Sequence, residues 1–65
     1  MGFKVTTDTP SGVNIRSGPG TEYGVIGTSA KGNTYDSLSQ QKDANGTTWH
    51  KVGDGWVCGD YMAVS

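Results

Sequence analysis

The stretch WHKVGDGWVCGDY, Trp49 to Tyr61, sets two short runs of β-forming residues on either side of a turn of glycine and aspartate. Aromatic and β-branched residues favour strands. Asp54-Gly55 suits a two-residue type I′ turn, which needs positive φ at both central positions. That register pairs Val52 with Val57 and puts both on one face with His50. It sets Lys51 opposite Cys58 and Trp49 opposite Asp60. A three-residue turn would divide the two valines between opposite faces, so the apolar pattern selects the shorter one. Trp49, Lys51, Trp56, Cys58 and Asp60 then share the outer face, an uncommon place for two tryptophans.

Outward from this hairpin the same pattern repeats. Runs rich in Val, Ile, Thr, Tyr and Trp alternate with Gly, Asn, Asp and Pro, and no helical period appears. The runs predict strands over 3–7, 13–17, 24–28, 34–41, 47–52 and 55–59. With no helix to cover a sheet, closure into a small barrel buries one face and hides the edges. The expected fold is all-β, a partly open barrel of about five to seven short antiparallel strands. Its candidate core is Phe3, Val5, Val13, Ile15, Val25, Ile26, Leu38, Val52, Val57, Met62 and Val64. The Asn45-Gly46 hairpin admits two registers. A two-residue turn pairs Val52 with Ser39 and leaves Leu38 outside. A three-residue turn with Gly46 as a bulge pairs Val52 with Leu38 and turns Tyr35 outward.

The 65 residues have room for one domain with one small core. A deep, dry catalytic pocket fits poorly in it. The formal net charge is −1, and Lys4, Arg16, Lys31, Lys42 and Lys51 are scattered. A nucleic-acid partner would call for a basic stripe, because phosphate neutralisation dominates such affinity. No apolar run approaches the roughly 20 residues of a membrane-spanning helix, so neither nucleic acid nor membrane is an expected partner. Met1-Gly2 has the look of an added start, and the chain reads as a module from a longer protein.

Val13 to Gly27, VNIRSGPGTEYGVIG, invites comparison with phosphate-binding loops. The spacing of Gly18, Gly20 and Gly24 fails the G-x-G-x-x-G pattern, no helix follows, and no Walker sequence is present. Gly18 and Gly20 read as positive-φ positions around a rigid Pro19. His50 and Cys58 are the candidates for nucleophilic catalysis, but the hairpin register puts them on opposite faces. One histidine and one cysteine cannot supply a metal shell, so neither metal nor other cofactor is expected. Asp36, Asp43, Asp54 and Asp60 fall mostly at turns, where aspartate is favoured anyway. The Asn45-Gly46-Thr47 sequon is explained by its turn.

What remains is a set of outward aromatics. Tyr23, Trp49, Trp56 and Tyr61, beside Asn14, Arg16 and Glu22, favour a binding groove, since aromatic rings give large contact area at low entropy cost.

Val13-Asn14-Ile15-Arg16-Ser17-Gly18-Pro19, Tyr23-Gly24-Val25-Ile26-Gly27, Lys31-Gly32, Trp49-His50-Lys51-Val52 and Gly55-Trp56-Val57, closing at Asp60-Tyr61-Met62, occur in order over nearly the whole chain. This ordered set resembles the bacterial SH3-like domain family. The resemblance implies a partly open barrel that targets an attached peptidoglycan hydrolase, as in phage endolysins and bacterial autolysins, to the cell wall. The module itself would be non-catalytic and would act outside the cell, at the wall. Its ligand would be a stem peptide, cross-bridge or glycan, and its neighbours a linked catalytic domain and a tandem module. By position, Arg16 to Gly24, including Ser17, Glu22 and Tyr23, would form one wall of the groove, with Asn14 beside it. Trp49, Trp56, Asp60 and Tyr61 would stand near it. Ser37 departs from the family pattern, which has an apolar strand residue there, and the connection from Gln40 to Thr48 is long. A module binding a proline-rich or intramolecular segment is the alternative reading.

Overall fold

The computed structural model describes residues 3–64, so the reading of Met1-Gly2 lies outside the described residues. The chain is all-β, with strands β1 (Phe3–Thr7), β2 (Val13–Arg16), β3 (Val25–Ser29), β4 (Thr34–Ser37), β5 (Ser39–Lys42), β6 (Thr48–Val52), β7 (Gly55–Cys58) and β8 (Met62–Val64). A 3-10 turn, Gly59–Tyr61, joins the last two. The strands form a three-stranded sheet in the order β4-β1-β8 and a five-stranded sheet in the order β3-β2-β7-β6-β5. Every pairing is antiparallel.

The core lies between the sheets. Val5, Val13, Val52, Val57 and Met62 are buried together, with Phe3, Ile15 and Tyr35 partly buried against them. Four expected core members are instead exposed: Val25, Ile26, Leu38 and Val64. Val25 and Ile26 stand on β3, an edge strand, where Val25 pairs with Arg16 and so lies on the outer face. Val64 ends the other sheet's edge strand β8, which was not among the expected strands.

In the β6–β7 hairpin the faces are as expected but the pairing is shifted by two residues. Val52 pairs with Gly55, His50 with Val57, Lys51 with Trp56 and Trp49 with Cys58. The turn is therefore Gly53-Asp54, with Gly53 at φ 55° and no positive φ at Asp54. That fits a II′ turn, which needs the left-handed region only at its first central position. Gly55 serves packing instead. A Cβ there would collide with Ile15 Cγ2 and stand 3.1 Å from both the Arg16 carbonyl oxygen and Ile26 Cδ1. The side chain of β2 thus packs into the space that Gly55 leaves open.

The strand expected over 34–41 is split at Leu38. Thr34–Ser37 pairs with β1, while Ser39–Lys42 pairs with β6. The β5–β6 register is that of the three-residue turn: Asp43 N–H donates to the Thr47 carbonyl, Gly46 N–H to the Asp43 carbonyl, and Gly46 has φ 83°. Its two expected consequences do not follow, because the chain changes sheets on the way. Leu38 stays 62% exposed, while Tyr35 lies opposite Val5 and turns inward.

Ser37, the departure from the family pattern, is buried with its hydroxyl 3.1 Å from His50 Nδ1. His50 is buried too, with its ring edge-on to Phe3 and Gln40 Nε2 3.5 Å from the same nitrogen. Burial pushes the His50 pKa below its ordinary value. Ser37 and His50 are therefore one of two buried polar pairs among the described residues, the other being Thr7 and Ser29, whose hydroxyls stand 2.7 Å apart.

Candidate functional site

The outer face of the five-stranded sheet is ordered by register. Val25, Arg16, Trp56, Lys51 and Ser39 form one cross-strand row, and Cys58, Trp49 and Gln41 belong to the next. Over the second row lies a groove of about 370 Å³. Arg16 and Thr21 bound one side, and Asp43, Asn45 and Thr47 of the β5–β6 hairpin bound the other. Trp49, Cys58, Val13 and Asn14 contribute to its lining, and Asp60 and Tyr61 come from the 3-10 turn.

The groove brings together five of the nine expected site residues: Asn14, Arg16, Trp49, Asp60 and Tyr61. Trp49 is not the exposed aromatic surface expected of it. It faces outward but is 2% exposed, and its Nε1 donates to Asp43 Oδ2 at 3.0 Å. The other Asp43 oxygen accepts from the amides of Asn45 and Thr47. One carboxylate thereby shapes the hairpin and ties it to the indole. These contacts, with the Trp49 hydrogen bond first, hold the Asp43 carboxyl below its ordinary range.

Ser17, Glu22, Tyr23 and Trp56 lie outside the groove lining. Tyr23 and Glu22 fold back on their own loop. A Cβ on Gly18 would enter the Tyr23 ring, and one on Gly20 would meet the Glu22 carboxylate. Neither glycine has positive φ, so both admit a close side chain and neither supplies the left-handed bend expected. Ser17 N–H donates to the Gly24 carbonyl and closes the loop. Arg16 fastens it from beneath, with Nη1 donating to the carbonyls of Thr21 at 3.2 Å and Tyr23 at 2.9 Å. Trp56 is half-buried between Arg16 and Lys51 on the same face.

Asp43, Asn45, Thr47, Val13 and Cys58 line the groove without having been singled out as ligand-binding positions, whereas Thr21 belongs to the Arg16–Gly24 loop expected as its wall. The Asn45-Gly46 turn signal located the hairpin tip but not its lean over Trp49, which follows from the Asp43 contacts. Cys58 and His50 occupy opposite faces of the β6–β7 hairpin, as the sequence implied. Burial first, and then the charges of Asp60 and Asp43, raise the Cys58 thiol above its ordinary 9.0, against a hydrogen bond from the Asp60 amide. The thiol is therefore a poor nucleophile.

A small antiparallel barrel with an open, polar groove on its sheet face has the form of a binding module. The family model described as "Bacterial SH3 domain" matches residues 11–63, and the chain belongs to that family. Among curated proteins it is similar to "Serine/threonine-protein kinase D" of Synechocystis sp. (strain ATCC 27184 / PCC 6803 / Kazusa), 43% identical over 54 residues. The match covers 74% of this chain and 11% of that protein, so the chain spans about a ninth of this relative's length. No solved structure matches.

Proposed function

We propose that this chain is a targeting module that binds the peptide part of bacterial peptidoglycan in the groove between the Arg16–Gly24 loop and the Asp43–Thr47 hairpin. The observation that carries the reading is the groove itself. It is open enough for a chain to lie in it, and the side chains of Asn14 and Asn45 line it without a side-chain hydrogen bond to the described residues. An amide side chain offers both a donor and an acceptor, which suits a peptide backbone. Tyr61, 54% exposed, adds an aromatic surface. In this reading the module works at the wall, outside the cell, and holds a linked domain there, a peptidoglycan hydrolase on the pattern the sequence resemblance implies. A weak site suffices when a second site is tethered to it.

The test is co-sedimentation of the 65-residue chain with purified sacculi at moderate salt. Retention that falls with Tyr61→Ala and not with Lys42→Ala supports the reading, and absence of retention overturns it. The kinase relative favours a second reading, in which the same groove takes a segment of a protein partner or of the parent polypeptide. Binding to a proline-rich peptide without retention on sacculi supports that one.

A further inference from the structure

The charged groups of the groove divide into committed and free. Arg16 donates to two loop carbonyls. Both oxygens of Asp43 accept from the hairpin and from Trp49. Asp60 differs. It is exposed in the first turn of the 3-10 segment, and its carboxylate has no hydrogen bond or ion pair with the described residues, where Lys4–Asp36 is the ion pair formed. Tyr61 follows it, and the Cys58 thiol below feels the negative field of both carboxylates. With both Asp43 oxygens engaged by the hairpin and Trp49, one free carboxylate is too little for a divalent cation, which wants several oxygen ligands. It suits an ammonium group whose aliphatic stem lies along an aromatic ring.

We propose that the groove selects peptides bearing a primary ammonium group, seated on the Asp60 carboxylate with its stem against Tyr61. This rests on the reading that the groove binds wall peptide. In that setting the amine is the free amino group of a diamino-acid residue. The remaining contacts, from Asn14 and Asn45, hold the backbone in either direction and carry little selectivity. Asp60 therefore sets which peptide is held.

The experiment compares native sacculi with sacculi whose primary amines have been acetylated, using the chain, Asp60→Asn, and Asp54→Asn as a control of equal charge change on the distant hairpin turn. Hydrogen bonds to charged groups typically contribute enough to change affinity about tenfold, and exposure reduces this. We expect acetylation to weaken retention of the parent chain about fivefold. Asp60→Asn should bind both preparations equally weakly, while Asp54→Asn behaves like the parent. The native interaction should also weaken with added salt. Equal retention of the parent on both preparations overturns the ammonium assignment and leaves wall binding standing. Retention on neither overturns both. Acetylation sensitivity that persists in Asp60→Asn puts the amine elsewhere and overturns the role of Asp60.

Discussion

The carboxylate of Asp43 accepts a hydrogen bond from Trp49 Nε1 at 3.0 Å, and its second oxygen takes the amides of Asn45 and Thr47. A turn aspartate and an outward tryptophan thus become one structural unit, and the indole is floor of the groove where a ligand platform had been expected. Removing one partner leaves the almost fully buried Trp49 N–H without an acceptor, which costs more than the bond itself contributes.

Asp43→Ala should therefore lower the denaturation midpoint more than Asp43→Asn, which keeps one acceptor. The pH dependence has a definite sign. The folded pKa lies below the ordinary 3.8, so the unfolded chain takes up its proton first as pH falls. The contribution is complete above that value and is lost as pH drops through the folded value. Urea midpoints measured from pH 6 downward should show this loss, and Asp43→Asn should flatten it. An unchanged acid profile in Asp43→Asn would separate the carboxylate from the hairpin's stability.

The Ser37–His50 pair makes a second pH prediction at a higher range. The His50 pKa is depressed by burial, so the unfolded imidazole protonates first as pH falls below about 6.5. Stability should be constant above that point and decline below it, down to the folded value. His50→Leu should remove the decline. Ser37→Ala should cost about 1 kcal/mol in the parent, the usual contribution of a buried hydrogen bond, and close to nothing in His50→Leu. Additive losses in the double variant would show that the two side chains are energetically independent.

At Gly18 the cost of a side chain is contact and not backbone strain. Its φ is not positive, yet a Cβ would enter the Tyr23 ring. Gly18→Ala should cost about 1–2 kcal/mol by overpacking. In a Tyr23→Ala background the same change should cost less than half as much, because the obstructing ring is gone. A cost that persists in that background would assign the requirement to the loop backbone. Thermal or urea unfolding of the four proteins decides it.

Much of the architecture was legible in local pattern. Seven of the eight strands fall on the six runs that read as β from composition, and the inner face of the β6–β7 hairpin was correct because a shift of two residues preserves alternation. What the pattern could not carry was position between sheets. Leu38 reads as core because it is apolar and in phase, but the chain changes sheets there and leaves it outside. Met62–Val64 is too short to announce itself and forms a strand only by pairing with β1. At the site, register was enough to put Trp49 outward but said nothing of what leans over it. That depended on Asp43, six residues away and read only as a turn former.

The relation between Tyr61 and Trp56 is the remaining consequence of the groove's position. Both were read as ligand surfaces, but Tyr61 lines the groove and is 54% exposed, whereas Trp56 is half-buried in the row beside it. A cationic group held over an exposed tyrosine ring contributes about 0.5–1 kcal/mol. Tyr61→Ala should therefore weaken retention on sacculi by up to about fivefold. Trp56→Ala acts at one remove, by loosening the strand that carries Arg16, and should weaken it less but more than Lys42→Ala, on the exposed end of β5. Circular dichroism checks that each variant is folded, and heteronuclear shift maps locate the bound fragment. Shifts centred on Trp56, with Tyr61→Ala binding like the parent, would move the ligand from the groove to the Arg16–Trp56–Lys51 row.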